Sequence, residues 1–265
     1  MSEAWQKHNG VTNGFVVTDD MITCENNEGQ DEKFNISVNG TMYVVKDSSF
    51  DKKRKQPCIF PWCEYTGSHI MRLLTGNCQE TFIGSYKDRP VVLCKNIFNG
   101  LTWKAFKDIH QSSADTELSN KYYTYDDVLH VISQYKRIHE FKYNKVLKDF
   151  WLMFVGDAII GNRDRHEGNW GFIIDGDGKA EMAPIFDNGN SLFPNVDLSA
   201  ELTLEFVHTR VYKMPESQFR RWRDGIDDRP TRTNYWEVIN DFKDIDILRE
   251  QIEYAAKQDI ESMIA

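Results

Sequence analysis

Gly161-Asn-Arg-Asp-Arg-His-Glu-Gly-Asn-Trp170 is answered downstream by Phe186-Asp-Asn-Gly189, in which Asp187 follows Asn169 by eighteen residues. Ahead of it runs Lys148-Asp-Phe-Trp-Leu-Met-Phe-Val-Gly-Asp-Ala-Ile-Ile160, mostly apolar, of helical length and ended by a Gly-Asn pair. A buried helix is therefore expected to deliver a polar loop. Behind the loop, Trp170-Gly-Phe-Ile-Ile174 and Lys179-Ala-Glu-Met-Ala183 read as short strands joined by the turn Asp175-Gly-Asp-Gly178. With Ile174 opposite Lys179, Trp170 falls opposite Ala183, about 5 Å away across an antiparallel ladder. Asn169 and Asp187 then start and finish at one end of the hairpin.

That placement gathers three oxygen-bearing side chains, Asp164, Asn169 and Asp187, around one small volume, which suits a hydrated divalent cation and a triphosphate. Magnesium takes oxygen ligands, usually one or two carboxylates, with phosphates and water completing the shell. Asp164 can accept the proton of an incoming hydroxyl, while Asn169 and Asp187 hold metal against phosphate. Asp and Asn also cap ordinary turns, so it is the joint pattern, with His166, that points to a phosphoryl-transfer centre. A calcium loop starting at Asp175 is excluded. Its sixth residue is Ala180 where glycine is required, and its twelfth is Phe186 where glutamate is required.

Asp164-x4-Asn169 followed by Phe186-Asp187 resembles the catalytic loop and metal-binding motif of HipA-like serine/threonine kinases. The Asp-Arg-His-x2-Asn wording is also similar to that of phosphatidylinositol 3/4-kinases. Both groups share a protein-kinase-like fold. The resemblance therefore implies an α+β chain of two lobes around ATP, a smaller antiparallel β-rich N-lobe and a larger, mainly helical C-lobe.

The chain has 265 residues and a formal net charge of −9, which argues against a surface that binds nucleic acid or anionic membrane as a whole. All five cysteines fall within the first 94 residues, and their odd number favours reduced thiols in a cytoplasmic protein. No apolar run of about twenty residues and no signal peptide is visible, so a soluble intracellular protein is expected. The basic run Lys52-Lys-Arg-Lys55 reads as a solvated loop.

Phe34-Asn-Ile-Ser-Val38, Asn39-Gly40 and Thr41-Met-Tyr-Val-Val-Lys46 predict a hairpin with a two-residue turn. A glycine-containing turn before it could bring backbone N–H groups to phosphates, with Lys46 reaching them by its ammonium. Gly29-x3-Lys33 before a strand pair ending in Lys46 resembles the family's phosphate loop and ATP-binding lysine. The resemblance thus implies nucleotide contacts at Gly29, Gln30, Lys33 and Lys46. Gln30 directly follows Gly29 where the family usually has one residue between, and Asn26 stands where some members have an autophosphorylated serine, so that switch is not expected.

From Pro61 the pattern becomes helical, with Ile70, Leu73 and Leu74 apolar and Gly76 a stop. Glu64, early in this helix, is expected to pair with Lys46. Two strands, 81–86 and 91–95, flank the turn Lys87-Asp-Arg-Pro90. Lys95 and Ile97 fall where a kinase hinge would meet adenine through its backbone. Beyond Gly100, helices are expected at 103–109, 125–135 and 246–264, with an irregular stretch from Phe186 to about Arg232, so the domain division is placed at 99/100.

These readings converge on an ATP- and Mg2+-dependent kinase acting on Ser or Thr of a protein. Asp164 is the base, Asn169 and Asp187 hold metal, and Lys46, Glu64, His166 and Phe186 attend the nucleotide. The resemblance leaves room for a HipB-like antitoxin partner, and predicts neither direct nucleic-acid binding nor a membrane association. A lipid kinase and a catalytically silent nucleotide-binding module are the alternatives.

Overall fold

The computed structural model describes residues 5–8, 11–26, 32–47, 50–51, 56–113, 124–194, 216–221 and 231–259. Gly29, Gln30 and the basic run 52–55 lie outside the described residues. The first part of the chain forms β1 (Trp5–His8), β2 (Val11–Val17), β3 (Ile22–Asn26), β4 (Glu32–Val38), β5 (Thr41–Asp47), a short pair β6 (Phe50–Asp51) and β7 (Gln56–Pro57), helix α1 (Phe60–Thr75), β8 (Thr81–Tyr86) and β9 (Arg89–Lys95). Seven of these strands make one sheet in the order β1-β2-β8-β9-β5-β4-β3, antiparallel except where β2 runs parallel to β8.

Turn chemistry sets the register. Asn39 and Gly40 have φ of 51° and 77°, and Val38 pairs with Thr41, as a two-residue turn matched to strand twist requires. Lys87 and Asp88 do the same at 49° and 61°, so Arg89 and Pro90 are strand residues, not the second half of a longer turn. Helix α1 stops at Gly76, whose φ of 66° lets its N–H reach the Arg72 carbonyl.

The rest of the chain forms β10 (Thr102–Ala105), α2 (Phe106–Ser113), α3 (Tyr125–Tyr135), α4 (Tyr143–Ile160), the hairpin β11 (Gly171–Ile174) and β12 (Ala180–Met182), a strand pair β13 (Glu216–Arg221) and β14 (Thr231–Asn234), α5 (Tyr235–Asp241) and α6 (Asp246–Ala256). Three departures from expectation stand out. The helix expected from Trp103 begins only at Phe106, because Trp103 and its neighbours pair with β11. The stretch expected to be irregular contains β13 and β14. The hairpin register is shifted by one: Ile174 faces Ala180, not Lys179. The Asp175 carboxylate accepts the N–H groups of Asp177 and Lys179 and so holds a five-residue loop. Both hairpin ends still meet, with Ala183 N donating to Gly171 O at 3.0 Å.

Helix α4 opens with a charged, partly exposed face at Lys145, Lys148 and Asp149 but is almost wholly apolar from Phe150 onward, and it is the spine of the larger core, which holds Phe150, Trp151, Met153 and Phe154 together with Ile70, Met71 and Leu74 of α1. Each such side chain contributes roughly 1.5–3 kcal/mol on burial. A smaller core lies against the sheet, from Phe15, Val17, Phe34, Ile36, Val45, Val91 and Leu93. The lobes are stitched where Cys78 bridges Ile185, with Gln79 N donating to Ile185 O at 2.8 Å.

Candidate active site

Lys46 sits on β5 and Glu64 one turn into α1, and burial leaves each in need of a partner. Lys46 Nζ lies 2.7 Å from Glu64 Oε2 and 2.7 Å from Asp187 Oδ1. Burial pulls this ammonium down, but Asp187 and Glu64 outweigh it and hold Lys46 well above the ordinary lysine value. The same ammonium is the chief reason that Asp187 is held far below the usual carboxylate range, with Lys33 adding to it. Lys33 is the cross-strand partner of Lys46, so both amines share one face of the sheet. Asp187 itself has φ of 59°, a left-handed conformation that a non-glycine residue adopts only under constraint.

The constraint comes from below. Helix α4 ends at Gly161, φ 63°, and the loop is then pinned by Asn162, whose Nδ2 donates to Asp157 and whose Oδ1 accepts Asp164 N at 3.0 Å. Arg165 points inward. Its Nε and Nη2 grip the two oxygens of Asp157, Nη2 also reaches Asn188 Oδ1, and Nη1 donates to the carbonyls of Asn169 and Phe186. One guanidinium thus ties the catalytic-type loop to the Asp187 segment. Burial opposes its charge, yet Asp157 holds Arg165 above its ordinary value.

Asn169 donates through Nδ2 to Asp164 O at 2.9 Å, which leaves its Oδ1 without a hydrogen bond among the described residues. That oxygen and the second oxygen of Asp187 are the kind of hard donors magnesium prefers. The donor chemistry fits such an ion. His166 is exposed, and its Nδ1 accepts Gly168 N at 3.0 Å, which places the ring proton of the neutral imidazole on Nε2.

At the end of β9, the N–H and C=O of Lys95 are engaged by Glu80 O and Gln79 Nε2. Ile97 makes no hydrogen bond among the described residues, so its backbone is the open one. Beside it stands an aromatic cluster that the sequence reading missed apart from Phe186: Phe98 and Trp103 have ring centroids 5.2 Å apart, and Trp103 and Phe186 are 5.4 Å apart. A separate cavity of about 460 Å³ opens between the start of α4 and the β11–β12 hairpin, lined by Phe141, Lys145, Ile173 and Met182 and by none of the candidate residues.

A seven-stranded, mostly antiparallel sheet followed by a mainly helical region, with this cluster of Lys46, Glu64 and Asp187 where they meet, defines a protein-kinase-like fold. Residues 27–247 match the HipA-like C-terminal domain, and the chain belongs to that family. It is 32% identical over 226 residues to the serine/threonine-protein kinase CtkA of Helicobacter pylori, an alignment covering 82% of this chain and 66% of that protein. The crystal structure of a proinflammatory kinase CtkA of Helicobacter pylori superimposes with a TM-score of 0.72 at 28% identity, over 92% of this chain and 84% of the other. HipA of Shewanella oneidensis, solved with HipB and operator DNA, matches with a TM-score of 0.55 at 11% identity, over 91% and 58%. This last likeness is one of fold.

Proposed function

We propose that the chain is an ATP- and Mg2+-dependent kinase that transfers the γ-phosphate to Ser or Thr of a protein, with residues 1–99 serving as N-lobe and 100–265 as C-lobe. The observation that carries this is the double contact of Lys46, 2.7 Å from Glu64 and 2.7 Å from Asp187. A buried ammonium with that much negative charge around it stays protonated and is poised to meet a polyphosphate. Family membership and the similarity to CtkA support the same reading.

In this proposal Asp164 accepts the proton of the substrate hydroxyl as its oxygen bonds to the γ-phosphorus and the bond to the β-phosphate oxygen breaks. Asn169 and Asp187 would hold magnesium, which neutralises charge on the phosphates when bound. Lys46, kept in place by Glu64, holds phosphate together with its cross-strand neighbour Lys33; contacts from Gly29 and Gln30, which lie outside the described residues, are proposed from the family resemblance. His166 offers Nε2–H to the phosphates. Ile97 takes the adenine through its backbone in preference to Lys95, against Phe98, Trp103 and Phe186. Among the described residues no helix is long and apolar enough to cross a membrane; a cytoplasmic setting is part of the proposal. A HipB-like antitoxin extends the proposal and is tested by co-purification.

The deciding experiment follows labelled γ-phosphate from ATP with magnesium onto the protein itself, a generic protein and phosphoinositides, comparing the intact chain with Asp164→Ala and Asp187→Ala. Label on protein Ser or Thr, reduced to trace levels in both variants, is expected. Label on lipid would transfer the chain to the lipid kinases, and ATP binding without any transfer would make it a nucleotide-binding module.

A further inference from the structure

Asp164 is fixed more firmly through its backbone than through its side chain. Its N–H donates to Asn162 Oδ1 at 3.0 Å, and its C=O accepts from His166 N at 2.8 Å and Asn169 Nδ2 at 2.9 Å. These bonds leave the direction of the carboxylate undetermined. Among the described residues, one hydrogen bond reaches that carboxylate: Asn190 Nδ2 donates to Oδ2 at 3.0 Å. An ionised carboxylate only accepts, so the amide must present its NH2 group there. With Oδ2 engaged, Oδ1 is the oxygen left for a hydroxyl proton.

Asn190 stands on a tight turn whose other residues are anchored elsewhere. Ser191 N donates to Asn188 O at 3.1 Å, and Ser191 Oγ approaches the carbonyls of Asn188 and Cys63. Asn188 is wholly buried, its N–H donating to Glu64 Oε1 at 2.9 Å and its Nδ2 to Ser68 Oγ at 2.9 Å. Arg163 N returns to Asn190 O at 3.3 Å, closing the turn onto the loop that carries Asp164.

We infer that Asn190 is a positioning residue for phosphoryl transfer, aiming the Asp164 carboxylate at the incoming hydroxyl from a turn whose opposite end grips Glu64. The inference rests on the kinase reading above. It makes the aim of the base and the seat of the phosphate-holding lysine two ends of one short segment. A shift of α1 that withdraws Glu64 from Asn188 also withdraws the donor from Asp164.

The test measures kcat, KM for ATP and thermal unfolding for Asn190→Ala and Asn190→Asp, alone and combined with Asp164→Ala. Loss of aim is expected to lower kcat by about 10- to 100-fold in Asn190→Ala while KM for ATP stays within about twofold. Asn190→Asp keeps the shape but replaces the donor by a second acceptor, so it should lose at least as much as Asn190→Ala with an unfolding temperature near that of the parent. Asp164→Ala/Asn190→Ala should transfer no more slowly than Asp164→Ala alone, because the amide acts through that carboxylate. An Asn190→Asp variant within about twofold of the parent in kcat, or effects that multiply in the double variant, would overturn the inference while leaving the kinase reading in place. A parent protein that binds ATP and transfers nothing would remove both.

Discussion

Arg165 and Asp157 meet inside the protein as a two-pronged pair, Nε 2.9 Å from Oδ2 and Nη2 3.1 Å from Oδ1, with both side chains almost wholly withdrawn from water. The pair holds the loop after α4 to the segment before Asp187. Its worth lies in placement, since a buried ion pair contributes little net stability compared with apolar packing.

Removing one partner is a different matter. Arg165→Met should destabilise the fold by about 3–5 kcal/mol by stranding the Asp157 charge, read as a lower denaturant midpoint. Arg165→Lys should restore little, because a point ammonium cannot serve Asp157, Asn188 and two carbonyls at once. A lysine variant as stable as the parent would refute this.

Lys46, Glu64 and Asp187 act as one unit, so their removal should be far from additive. Lys46→Met and Glu64→Gln should each lower kcat/KM, and the double variant should fall no further than the worse single one. A coupling energy above about 1 kcal/mol is expected from groups in direct contact. Independent effects in a double-mutant cycle would count against the assignment.

Two glycines make a matched pair for packing. A Cβ on Gly171 would stand 2.2 Å from Lys104 O and 2.9 Å from Ala105 Cα, both backbone, whereas one on Gly156 would meet the Met71 thioether at 2.5 Å. Backbone cannot yield cheaply but methionine can. Gly171→Ala should therefore destabilise by more than about 2 kcal/mol and Gly156→Ala by less than about 1.5, and calorimetry would expose a reversed order.

Alkaline pH should weaken the fold. Burial pushes the Cys63 and Cys78 thiols up from 9.0 to about 12, and Cys94 upward for the same reason. The unfolded chain releases these protons from about pH 9 while the folded chain keeps them. Their contribution is thus whole below pH 9 and lost as pH rises towards 12. By pH 10 the loss is roughly 1 kcal/mol per thiol. Unfolding temperatures between pH 7.5 and 10.5 check this, and rapid alkylation of all but the exposed Cys24 in the native state at pH 9 would contradict it.

Much of this was legible from local chemistry. Asn39-Gly40 fixed a hairpin register, and Gly76 and Gly161 marked helix ends, because left-handed conformations demand particular residues. The Trp103 strand was hidden, since residues 103, 106 and 109 have helical spacing and only the remote Gly171 admits β10. The one-residue shift at Ile174 arose from a side-chain cap that composition does not show. In the site, Asp164, Asn169 and Asp187 were readable as a pattern, whereas Asn188 and Asn190 were given no role by the sequence, since a lone Asn beside a Gly carries no sign of what its amide will meet. Asp157 did carry a signal: an acid inside an apolar helix must have a partner, and Arg165 is eight residues on.

Gly67 of α1 rests against the turn at Asn188, where a Cβ would lie 2.5 Å from Ser191 Oγ and 3.3 Å from Asn188 Cβ. The space between helix and turn is thus smaller than a methyl group. Under the proposed kinase reading, a molecule wedged there would part Glu64 from Asn188 without occupying the nucleotide site, and because Glu64 seats the lysine that holds phosphate, wedge and ATP would each weaken the other's binding.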